Sequence, residues 1–224
     1  MSLDIHVMPL WKFWAGEYTT ATERFAESIG TPMSRIGLPK ALYGEGEARR
    51  LAKGVRLWIE QQTDAGQAWE DDGEIAFSEQ FQFEAIHAVR AYAAHIESSQ
   101  EPFALTADYH RSPAVRRVLA GVPTSFPHLI HHEDNQGFYV PVELERPLKL
   151  MGQPPTIGSS VQLMIELATL QRGLGGFPDF AARQQGEQDS EAHSGLAWVK
   201  HGISFLYHAC WISVQSRLPI IFDG

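Results

Sequence analysis

An almost continuously apolar helix near the C-terminus, about residues 191–213, constrains this chain more than any other feature. Trp198, Val199, Ile203, Phe205, Leu206, Cys210 and Ile212 go round such a helix rather than keeping to one stripe. It must therefore be covered on most faces by other elements. A chain of 224 residues can supply that cover and a substantial core. No apolar run reaches the roughly 20 residues of a membrane helix, so no membrane partner is expected.

The cover is readable from period and punctuation. Leu3, Ile5 and Val7 alternate with Asp4 and His6, which predicts a half-buried strand ended by Pro9. Thr20-Ala21-Thr22-Glu23 has the capping-box form and opens a helix through about Ser28. A helix over 45–62 follows, with Leu51, Val55, Trp58 and Ile59 as its apolar stripe. Ser78 is expected to cap another, running to about Glu97. Ser112, Pro113 and Gly121 bracket a short one. Extended segments at "FPHLIHH" and "GFYVPVEL" predict a hairpin, with Pro141 marking its second strand as an edge. "QPPTIGSS" reads as a loop, and Ser159 caps a helix ending near Gly173. "LPIIFDG" closes the chain as a strand. The fold class is α+β: a mostly helical single domain over 1–224 with a small antiparallel sheet of N-terminal strand, central hairpin and C-terminal strand.

Charge narrows the function. The net charge is -9, and between Glu60 and Glu84 there are eight acids and no Lys or Arg. That field repels phosphate backbones, so nucleic acid is not an expected partner; it permits a basic protein partner, and it also reads as a solvated acidic loop that aids solubility. The densest acids, Glu70, Asp71, Asp72 and Glu74, are the candidate contact residues. The N-terminus has Asp4 and His6 where a secretion signal has basic and apolar regions, which points to the cytoplasm. Cys210 is the one cysteine, set among apolar residues as a buried thiol.

The second candidate is the stretch His128-Leu129-Ile130-His131-His132-Glu133-Asp134. As a strand it sends His131 and His132 to opposite faces and sets His128 and His132 roughly 13 Å apart. As a helix from Pro127 it clusters the three, but only about seven residues precede the breakers Asn135 and Gly137. The order matches no helical zinc motif, and the strand-and-turn reading is preferred. The alternative is a metal-assisted hydrolase in which His131 or His132, with Asp134, meets one or two of the C-terminal histidines, His201 and His208 foremost, which with His193 share one side of the C-terminal helix.

Other chemistries lack their motifs. Gly44-Glu45-Gly46 has neither phosphate-loop spacing, and its acids sit where a phosphate would. Gly158-Ser159-Ser160 is no nucleophile elbow. No cofactor is implied. The leading reading is a non-catalytic protein-binding module, in one version neutralising a basic toxin or nuclease as immunity proteins do. The edge strand over Tyr139–Leu144 offers a surface for a homodimer.

Overall fold

A computed structural model describes residues 2–28, 41–63, 69, 72–99, 103–104, 112–132, 137–150, 156–174 and 195–223. Six strands form one mixed sheet: β1 (Ser2–Val7), β2 (Phe77–Gln82), β3 (Phe138–Val140), β4 (Leu148–Lys149), β5 (Thr156–Ser159) and β6 (Ile220–Asp223). Their order across the sheet is β2-β1-β6-β3-β5-β4. All neighbours run antiparallel except β3 and β5, which are parallel. The described helices are α1 (Leu10–Trp14), α2 (Ala21–Ser28), α3 (Glu45–Gln62), α4 (Phe83–Ser98), α5 (Pro113–Leu119), α6 (Pro127–Ile130), α7 (Ser160–Gly173) and α8 (Gly195–Ser216).

Strand alternation feeds two cores. Leu3, Ile5, Val7, Phe81, Tyr139, Ile220 and Phe222 join one with α4, α7 and α8. Phe138, Val140, Ile157 and Ile221 join the other with Trp11 of α1 and Ala48, Ala52 and Ile59 of α3. The sheet is thus covered on both faces, and the polar side of β1 is buried as well. His6 is fully buried there, its Nδ1 2.7 Å from the Ser78 hydroxyl. Tyr18 donates to Asp223 at 2.7 Å on the same side.

The apolar C-terminal helix is buried as its composition demands, with Val199, Gly202, Ile203, Leu206, Ala209 and Cys210 all at 2% exposure or less, except Gly202, which is simply buried. Gly202 allows the close approach to α4. A Cβ there would lie 2.5 Å from Val89 Cγ2 and 2.7 Å from the Ala85 carbonyl oxygen. Local caps form where the sequence places them. Thr20 Oγ1 accepts from the Glu23 amide at 3.2 Å while Glu23 accepts from the Thr20 amide at 2.8 Å. Ser159 Oγ accepts from the Gln162 amide at 3.0 Å.

The strand arrangement differs from expectation in four places. Residues 77–82 are strand β2 rather than the start of a helix; Ser78 receives Arg24 instead of capping. Thr156–Ser159 is strand, not loop. The hairpin does not form: its first arm is the one-turn helix α6, and β3 stops at Val140. The sheet is mixed rather than purely antiparallel, because β3 pairs with β6 and β5 from distant parts of the chain. With both edges paired, β3 leaves no free edge for the homodimer expected over Tyr139–Leu144. On α3, Leu51 is 39% exposed and Ala48 and Ala52 take its place in the stripe.

Candidate acidic interface

The acidic segment is held at fixed points. Trp69 is fully buried in the second core. Gly73 lies against Leu218, where a Cβ would stand 3.0 Å from Cδ2. The Ala76 amide donates to the Val7 carbonyl at 2.9 Å, and β2 then pairs along β1. Between these anchors the described acids, Asp72 and Glu74, face outward. The Asp72 and Glu74 side chains are 87% and 93% exposed. Glu79 on the edge strand and Glu84 in the first turn of α4 are exposed too. Glu84 has its pKa lowered, chiefly by a hydrogen bond from its own backbone amide at the helix start. Glu70 and Asp71 lie outside the described residues.

Basic side chains stand behind these acids. Arg49 donates to Glu45 at 2.9 Å and to Asp72 at 3.0 Å, and its guanidinium sits 3.5 Å from the Trp11 ring centroid. Lys12 donates to Glu74 at 3.0 Å. Pairs this exposed contribute little to stability, so the carboxylates remain open to exchange partners. They position charge without consuming it.

The histidine stretch has a different structure from the one expected and a different role. Pro127–Ile130 is a single helical turn with a buried side chain at each end, Glu166 at its start and Arg90 at its finish. Glu166 accepts the amides of His128 and Leu129, each at 2.9 Å. Arg90 donates to the Leu129 carbonyl at 2.7 Å and to that of His132. Carboxyl oxygens at the N-terminus and a guanidinium at the C-terminus satisfy the orphan groups of the turn, and the guanidinium also matches its dipole. The tertiary partners explain why residues 128–132 are not a strand. Both lie far along the chain, so no local signal marks them.

Each described histidine of the candidate metal set has its own surroundings. His131 is exposed, while His132 is buried and stacked on Tyr139 at 3.9 Å, its Nε2 3.2 Å from the Phe138 carbonyl. His201 packs 5.4 Å from Phe81, and His208 lies 5.7 Å from Phe77 and stacks on Trp211. Burial lowers the pKa of His208. Asp134 is outside the described residues. Among the described residues no group of three or more His, Cys, Asp or Glu side chains could hold a metal ion. His128, absent from that candidate set, is the most constrained: Nδ1 accepts from the Ser159 amide at 3.0 Å and Nε2 donates to the Leu144 carbonyl at 2.9 Å.

A family model described as "Putative DNA-mimic protein" matches residues 1–222. The chain belongs to that family. Neither a curated protein nor a solved structure matches it. The DNA-mimic family assignment corrects the expected partner set. That set took a basic protein without reference to DNA and put nucleic acid aside. A DNA-mimic family implies partners that bind DNA, which narrows the basic partner to that class, while setting nucleic acid itself aside is compatible with the family. No described helix is long and apolar enough to cross a membrane.

Proposed function

We propose that this chain is a non-catalytic DNA mimic that occupies the DNA-binding surface of a DNA-binding protein. The observation that carries the reading is the Glu60–Glu84 segment, eight acids without a Lys or Arg, of which the described Asp72, Glu74, Glu79 and Glu84 are exposed around the edge strand β2. Glu70, Asp71, Asp72 and Glu74 form the contact, continued by Glu79 and Glu84. A DNA strand carries one charge per roughly 3.4 Å of helix axis, and a β-strand rises by about the same distance per residue. Side chains on one face of a strand recur only every second residue, at about twice that rise, so Glu79 on β2, flanked by Glu74 and Glu84, presents separated charges for Lys and Arg side chains to meet. Such a field also steers a cationic partner in and keeps DNA itself away. Exposed Gln80 and Gln82 on β2 supply neutral hydrogen-bonding groups between the charges. The family match across 1–222 supports reading the chain as one working unit, acting in the cytoplasm.

The test is competitive capture. The immobilised chain is exposed to a nuclease-treated lysate, and bound proteins are challenged with duplex DNA. Proteins that bind DNA themselves and are released by it support the reading. A captured set indifferent to DNA contradicts it.

A further inference from the structure

We propose that the cleft between the α5–α6 turn and β4 is a binding site for a small phosphate monoester with a compact apolar body. The cleft has a volume of about 540 Å³, within the range of small-molecule sites. Its location owes nothing to the acidic segment, and it stands whether or not the chain imitates DNA.

Three observations point to the ligand. Arg146 and Lys149 both line the cleft, and among the described residues neither makes an ion pair. Arg49, Arg56 and Lys12 each face a carboxylate, whereas Arg146 and Lys149 share one concavity without one. Thr156 lines the same cleft at 1% exposure, and its hydroxyl has no hydrogen-bond partner among the described residues. A buried hydroxyl without a partner is costly unless something completes it, and a phosphate oxygen would. Finally, Pro123, Pro127 and Pro147 give the wall apolar surface without N–H donors, suited to a ligand body rather than to a bare ion. Glu145 also lines the cleft, so with Arg146 and Lys149 the wall carries one net positive charge, enough for one monoester and too little for a polyphosphate.

The rim is held in place. Glu97 at the end of α4 accepts from the Thr124 hydroxyl at 2.7 Å and from the Ser125 amide at 2.6 Å. Gly121, at φ 104°, reverses the chain after α5 in a conformation that side chains rarely adopt. The cleft is thus built between fixed supports, with His131 at its edge as a reporter.

Phenyl phosphate is the probe, titrated into the full chain by calorimetry and followed by the His131 ring resonances. The expected result is saturable binding at one site, about tenfold tighter than inorganic phosphate. Arg146→Gln with Lys149→Gln, both exposed and without structural bonds, should weaken it at least about tenfold. Thr156→Val should weaken it with the fold intact, as judged by a ligand-free unfolding midpoint that does not fall. Absence of saturation below about 10 mM, equal binding of inorganic phosphate, or an unaffected double variant would each overturn the assignment.

Discussion

Glu166 accepts the backbone amide of His128 at 2.9 Å, and both side chains are buried. The two titrate in opposite senses. Burial lifts the Glu166 carboxyl from 4.5 to about 8, against the pull of its two amides. Burial also lowers His128 from 6.5 to about 4, opposed by the Leu144 and Glu145 backbone carbonyls.

These shifts set a pH profile. A carboxyl with a raised folded pKa gives stability that is full below about 4.5 and lost as pH rises through about 8. A histidine with a lowered folded pKa gives stability that is full above 6.5 and lost as pH falls through about 4. Between 4.5 and 6.5 the two slopes, each about 1.4 kcal/mol per pH unit, cancel. Above 6.5 only Glu166 acts, and stability falls by about 2 kcal/mol on reaching pH 8. Urea denaturation at pH 4.5 to 8.5 should show a plateau and then a decline. Glu166→Gln should abolish the decline while costing about 1–3 kcal/mol, because one amide of the α6 turn loses its acceptor.

Trp69 ties the acidic segment to the second core. Trp69→Ala should cost about 3–5 kcal/mol in chemical denaturation and leave a cavity at the base of the loop. The same variant should weaken partner binding under conditions where it remains folded, since Asp72 and Glu74 lose their anchor. Unchanged affinity would separate the loop's position from its function.

At Gly202 the helices α4 and α8 approach too closely for a side chain. Gly202→Ala puts a methyl group 2.7 Å from the Ala85 carbonyl oxygen, which belongs to the backbone and cannot rotate away. Overpacking of this kind costs about 1–3 kcal/mol, even though alanine favours the helix by about 1 kcal/mol. Thermal unfolding of the variant checks the sign.

Salt dependence distinguishes a mimic from the DNA it imitates. Duplex DNA gains affinity by releasing condensed counterions, so its binding falls steeply with salt. Carboxylates on a folded protein are sparser and hold no such layer. For one partner, the slope of log affinity against log salt should be shallower for this chain than for DNA, and the chain should compete better as salt rises. Parallel titrations at about 50 and 200 mM salt measure both slopes.

Much of this was legible in the residues, and the rest was hidden for a physical reason. The bounds of α3, the Thr20 capping box, the Ser159 cap and the burial of α8 all rest on signals within a few residues of one another. The α6 turn depends on Glu166 and Arg90, each about 40 positions away. Strand β2 carries the sequence FSEQFQ, whose polar residues lie on an exposed edge and hide its alternation. Strand β5 is buried on both faces, so it shows no alternation at all. Of the acidic surface, the charge run was visible; Trp69 and Gly73 as its anchors were not, because their partners are set by the tertiary fold.

The central claim is that the acidic segment stands in for DNA. The decisive measurement is competition between this chain and a fluorescent duplex for a captured DNA-binding protein, repeated with Asp72→Asn, Glu74→Gln, Glu79→Gln and Glu84→Gln combined. All four residues are exposed, so the fold should persist. The account predicts that the parent chain displaces the duplex and that the variant loses at least about tenfold in potency. Equal displacement by parent and variant, or a complex in which chain and duplex bind together, would contradict it.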